Sequence, residues 1–150
     1  MTACVDFEEA WVERLAGGAQ VLFRCGTPDP DAMIHTAIAD AFAVSLGLKP
    51  IGFNWELLDA AAPAGEPRSA MGEITNALSH DIGNPNKDWL DPEVARQCAS
   101  DFLGLLEKGA CTITSNRFDG LWNPIAGNAV EWGFVGFDQR RIALLLLAQD

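Results

Sequence analysis

Apolar residues return along this chain at two different spacings, and the change from one to the other divides it. Through the first two thirds they recur every third or fourth position. Phe7, Trp11 and Leu15 fall on one face of a helix predicted over residues 5–16. Asp6, Glu8 and Glu9 occupy its expected first turn, where the helix dipole favours carboxylates, and Gly17 and Gly18 stop it. Ile34, Ile38 and Phe42 form the stripe of a second helix, opened by Asp29 as N-cap and Pro30 in the first turn and ended near Leu46 by Gly47. Asn54 is placed to cap a short helix with Trp55, Leu58 and Ala62 inward, before Pro63, Gly65 and Pro67 interrupt. Met71, Ile74 and Leu78 predict a helix over residues 67–79. Asp91, Pro92 and Glu93 open another, with Val94 or Ala95, Cys98, Phe102 and Leu105 or Leu106 inward and Lys108 and Gly109 at its close.

The spacing shortens in the last third. Residues 110–116, 129–137 and 141–148 read as strands, joining an earlier one at 20–26. The last contains four consecutive leucines, Leu144 to Leu147. A strand with one wet face alternates apolar and polar residues, and this one does not, so it is predicted to be central and covered on both sides. Residues 80–89 are rich in Gly, Asn, Asp and Pro and read as a loop; their glycine spacing is wrong for a phosphate cradle. At least four helices and about four strands, the strands crowded toward the end, predict one α+β domain over residues 1–150 with a mainly antiparallel sheet.

Charge changes the picture next. Ten basic residues against 21 acidic ones give a net charge of −11. Nucleic acid and anionic membrane surfaces are disfavoured partners, whereas a basic protein would be attracted at long range. The longest apolar run, Ile142 to Ala148, is too short to span a bilayer, and the first residues do not resemble a secretory leader, so a cytoplasmic location is expected. Cys4, Cys25, Cys98 and Cys111 lack the spacing of a zinc site, and they are read as reduced, structural residues. No metal or cofactor site is expected.

Catalytic chemistry finds no motif. There is no G-x-S-x-G, no catalytic cysteine context and no tyrosine. His35 lies beside a helix stripe, and His80 precedes Asp81 on the loop; these are the two residues through which a hydrolase-like alternative would run. The pairs Glu8/Glu9 and Asp29/Asp31 fit helix and turn positions. Trp11 and Trp55 read as core, while Trp89 and Trp122 sit in loops where an aromatic can anchor an interface.

The segment Trp122–Asn123–Pro124–Ile125, followed by Gly133 and a terminal apolar strand from Arg141 and Ile142, resembles the C-terminal end of a bacterial family found among toxin-immunity proteins. In that family a threonine follows the motif and a Phe-Asp pair precedes the glycine; Ala126, Val130 and Glu131 stand there instead, and Asp150 is all that remains of an acidic end. A fainter likeness links Gly52, Asn54, Trp55, Glu56 and Leu58 to the barstar-type phrase in which acidic residues on a short helix plug a ribonuclease. Both imply a non-catalytic inhibitor that blocks a basic toxin domain. Trp122, Asn123, Pro124 and Gly133 would then shape the fold, with Asn123 bonding the amides of its own loop. Expected partner contacts are Glu56, Asp59, Asp81, Asp88, Trp89 and Asp119. A stand-alone adaptor or oligomerisation domain is the remaining alternative.

Overall fold

The computed structural model describes residues 2–118 and 120–150. Four helices, α1 (Thr2–Leu15), α2 (His35–Ser45), α3 (Ala70–Ser79) and α4 (Pro92–Leu103), pack on a five-stranded sheet. Its strands are β1 (Gln20–Gly26), β2 (Glu56–Leu58), β5 (Thr112–Ser115), β8 (Val130–Phe137) and β9 (Ile142–Gln149), in the order β1-β9-β8-β5-β2, and every neighbouring pair is antiparallel. Two small hairpins complete the architecture: β3 (His80–Asp81) with β4 (Asn84–Asp88), and β6 (Arg117–Phe118) with β7 (Leu121–Trp122). The α+β class and the central C-terminal strand are as the sequence predicts.

The leucine run explains the layering. Ala143, Leu145 and Leu147 point to one face, where α1, α3 and α4 supply Phe7, Trp11, Ile74, Leu78, Cys98 and Phe102. Ile142, Leu144 and Leu146 point to the other, where Ala39 and Phe42 of α2, Trp55 and Ile125 cover them. Each of these leucines is at most 3 % exposed, and burying a leucine side chain contributes about 1.5–3 kcal/mol. The rings of Phe7, Phe23 and Phe102 meet with centroids 4.5, 5.8 and 6.5 Å apart, so α1, β1 and α4 share one contact. Gly136 allows the close approach at the end of α4: a Cβ there would lie 2.7 Å from Leu106 Cδ1.

Several local expectations are corrected. α1 begins at Thr2, so Asp6, Glu8 and Glu9 lie beyond its first turn. α2 begins at His35, not beside Asp29, because the Asp29 carboxylate accepts from the Asp31 N–H in a turn hemmed by Pro28 and Pro30. The segment from Asn54 is not a helix. The Asp40 carboxylate on α2 accepts from Ile51 N–H, Gly52 N–H and Trp55 Nε1, at 2.7–2.8 Å, and fixes a 3-10 turn over Gly52–Asn54 that delivers residues 56–58 to the sheet edge. The loop at 80–89 is a hairpin, turned by the Asp81 carboxylate on Gly83 N–H and Asn84 N–H. α4 ends at Leu103, well before Lys108 and Gly109, though Leu105 and Leu106 remain buried. α3 begins at Ala70, not at residue 67, because Ser69 caps it by accepting from Gly72 N–H, and the expected opener Asp91 accepts from Glu93 N–H. Among the described residues no helix is long and apolar enough to cross a membrane.

The cysteines are not all reduced. Cys4 of α1 and Cys25 of β1 form a disulfide with their Cα atoms 6.6 Å apart, whereas Cys98 and Cys111 are free. Sequence spacing cannot show this pair, since it depends on α1 lying over the edge strand. The bond closes a loop of 21 residues, and such a crosslink contributes about 3 kcal/mol through the unfolded chain. Cys25→Ser, or reduction before unfolding, is expected to lower the urea-unfolding free energy by about that amount; an unchanged midpoint in reductant would show that the bond carries no stability.

Candidate functional site

The Trp-Asn-Pro loop is built around one carboxylate. Glu131 lies on β8, inside an otherwise apolar strand, and is fully buried. Its Oε1 accepts from Ile125 N–H at 2.7 Å; its Oε2 accepts from Ala126 N–H at 3.0 Å, Asn128 N–H at 2.9 Å and Asn128 Nδ2 at 3.3 Å. Charge-assisted bonds of this kind are about twice as strong as neutral ones. The loop amides therefore bond Glu131, and the role expected of the Asn123 side chain belongs to it. Asn123 takes part through its backbone: its N–H donates to Asn116 O at 3.0 Å and its carbonyl accepts from Asn116 Nδ2 at 3.1 Å. Asn116 Oδ1 in turn accepts from Gly133 N–H at 2.7 Å, which ties the loop to β8. Pro124 is exposed, and Ile125 behind it fills the second face of the core.

Trp122 joins a different device. The Arg117 guanidinium lies 4.8 Å from the Trp122 ring and 4.3 Å from the Trp132 ring, between two aromatic faces. Its Nε donates to Glu131 O and its Nη2 to Ile82 O, at 2.8 and 3.1 Å. Burial pulls the Arg117 pKa down to about 10, against the opposing charge of Glu73. Asn116, Arg117 and Glu131 thus shape the loop, and the motif residues alone do not reveal them. The available signal is a single carboxylate in an apolar strand shortly after a proline loop.

The carboxylates expected to face a partner have varied surroundings. Glu56 pairs with Arg68, whose guanidinium lies 5.0 Å over the Phe118 ring. Asp59 accepts from Ala61 N–H and Ala62 N–H at 2.9 and 3.1 Å. Asp81 holds its hairpin turn and accepts from Gln149 Nε2 at 3.1 Å. Asp88 is exposed on β4, opposite His80. Trp89 is half-buried against Gly18, where a Cβ would come within 2.2 Å of its indole nitrogen. Asp119 lies outside the described residues. The described positions lie on the β2 edge, in the 59–62 loop and on or just after the β3–β4 hairpin.

His80 Nδ1 lies 3.1 Å from Ser79 Oγ, but that hydroxyl donates to Thr75 O at 2.8 Å. A cleft of about 700 Å³ is lined by Met71, Leu103, Leu106 and Cys111, together with Asp59 and Lys108, and by neither histidine. Burial pushes the Cys98 thiol up to about 12 and raises that of Cys111, with Asp138 adding to the latter, so neither is a ready thiolate at neutral pH. Among the described residues no group of three His, Cys, Asp or Glu side chains is placed to hold a metal ion. Comparison of the chain with protein-family models, with curated proteins and with solved structures finds no match.

Two outcomes are expected. Glu131→Ala leaves buried amides without an acceptor, each costing about 1–3 kcal/mol, so chemical unfolding should show a loss of at least about 2 kcal/mol, with a smaller loss for Glu131→Gln. The second concerns acid. For Asp138, burial raises the pKa, but the N–H groups of Arg140, Glu107 and Arg141, with the Arg141 charge, outweigh it and hold the carboxyl below its ordinary value. A depressed carboxyl contributes stability above its unfolded pKa and loses it as pH falls through the lower folded value. Asp138→Asn should therefore flatten the fall in melting temperature below the ordinary carboxylate pKa; an unaltered acid slope would contradict this.

Proposed function

We propose that this chain is a non-catalytic inhibitor of the immunity type, which binds a basic toxin domain and covers its active site. One observation carries the reading: the solvent side of α1 is a carboxylate face. Asp6, Glu8, Glu9 and Glu13 are all exposed on it, and the helix's one basic residue, Arg14, lies with its guanidinium 4.7 Å from the Trp11 ring. Asp40, Asp59, Asp81, Asp138 and Glu131 bond backbone amides within the fold. The α1 carboxylates and Asp88 stand outward. With a net charge of −11, they favour a positively charged partner and a fast encounter with it.

The resemblance of the Trp122–Pro124 segment to toxin-immunity proteins supports the same reading. No observation favours the catalytic alternative through His80 or His35. Location belongs to the proposal as well. A cytoplasmic protein meets a thiol pool that keeps most cysteines reduced, so the Cys4–Cys25 bond fits an oxidising compartment better.

Co-expression with the protein encoded beside this gene tests the reading. Growth should be rescued from that protein's toxicity, and Glu8→Lys, Glu9→Lys and Glu13→Lys together should weaken binding by tenfold or more, mostly through the association rate. Rescue that is lost in His80→Ala or His35→Ala while binding persists would favour catalysis. A neighbour that is neither toxic nor bound would contradict the proposal.

A further inference from the structure

The sheet has one long open edge. Among the described residues, strand β1 pairs only with β9, over seven residues without a bulge. At the opposite margin, β2 has three residues, and beyond it Asp59 N–H donates to Arg68 O and Ala70 N–H to Asp59 O. The direction of each β1 amide follows from the ladder. Asp59 N–H points off the β2 edge and Gly133 N–H points toward Asn116. Alternation carried through β2, β5, β8 and β9 then turns the N–H and C=O groups of Val21, Phe23 and Cys25 outward. The Arg24 guanidinium donates to the Phe23 carbonyl at 2.8 Å, which is the placement expected of a carbonyl that no strand has taken.

The two sides of this edge differ chemically. On the side of α1, the helix turns Ala3, Asp6 and Ala10 toward Ser100, Asp101 and Gly104 at α4. Helical periodicity puts Val5, Glu8 and Val12 on the opposite flank, beside the outer margin of β1, and Glu8 is exposed there. On the other side, Leu22, Leu146, Ala148 and Ala126 with Gln20 and Asn128 line a groove of about 190 Å³. An unprotected edge accepts an added strand through main-chain hydrogen bonds, while alternate side chains read the two faces.

We infer that β1 is the docking edge for an extended segment of a basic protein, whose alternate side chains are cationic toward Glu8 on α1 and apolar toward the groove at Leu22. This rests on the inhibitor reading above and names the surface it uses. The segment docks antiparallel, so each of its bonding residues exchanges both hydrogen bonds with the residue directly opposite and shares its face. The residues whose amides reach Val21, Phe23 and Cys25 therefore carry the cationic side chains. Arg24 guards the edge in the free protein and must release the Phe23 carbonyl when a strand arrives.

The probe is a capped ten-residue peptide of alternating lysine and valine, titrated by calorimetry. It should bind, and N-methylation of its lysines should weaken binding at least tenfold while N-methylation of its valines does not. Val21→Pro removes one outward N–H, and Glu8→Lys reverses the facing charge; each should also weaken binding at least tenfold. Equal binding of the two methylated peptides would overturn the inference, and this arm decides even if Val21→Pro disturbs folding. A concentration-dependent dimer abolished by Val21→Pro would place a second copy on the edge and would overturn it too. If the neighbouring toxin is neutralised equally well by a folded Val21→Pro protein, the edge inference falls and the inhibitor reading stands. If the peptide pattern holds but no toxin exists, the inhibitor reading falls and the edge stands.

Discussion

The structure depends on burying both faces of β9. Leu144 and Leu146 look one way, Leu145 and Leu147 the other, and all four are closed from solvent. A strand covered on both sides must lie inside a sheet with a layer on each face. The pairing of β9 with β1 and β8 supplies the sheet, and α1, α3 and α4 supply one layer. The second layer is thinner. It consists of α2, the turn bearing Trp55 and the loop bearing Ile125. Because a turn and a loop cannot hold themselves in place by helical hydrogen bonds, each needs an acceptor supplied from elsewhere.

Those acceptors are carboxylates. Asp40 gathers Ile51, Gly52 and Trp55, and Glu131 gathers Ile125, Ala126 and Asn128. Both place an apolar side chain, Trp55 or Ile125, over the leucines of β9. The acidity of the chain therefore has two physical uses. Some carboxylates replace regular structure by binding backbone amides. Others, above all on α1, remain in solvent and set the field around the molecule. Net charge alone does not separate the two groups.

This division explains what was legible in the sequence. The amphipathic stripes of α1, α3 and α4 and the unbroken apolar run of β9 state their burial directly, because periodicity records which side faces the core. The α2 stripe is legible only in part: Phe42 is buried and Ile38 half-buried, but Ile34 precedes the helix and is exposed, because Asp29, which looks like a cap, is consumed by its own turn. The segment at Asn54 has helix-like spacing, yet Asp40, fourteen residues earlier in the chain, decides its shape. Glu131 and the Cys4–Cys25 bond are visible only once distant elements have met. Asn123 and Pro124 mark the loop, while Trp122, read as part of it, ends β7; the groups that hold the loop, Asn116, Arg117 and Glu131, carry no local pattern. The open edge of β1 likewise belongs to strand order, which no single segment encodes.

Amide hydrogen exchange on the free, oxidised protein tests the account most directly, because it reads the burial of β9 and the exposure of β1 together. The amides of β9 should exchange slowest in the molecule, on both of its alternating sets. Val21, Phe23 and Cys25 should exchange quickly while Leu22 and Arg24, bonded to β9, are protected. Uniform protection along β1, or rapid exchange along β9, would contradict the account.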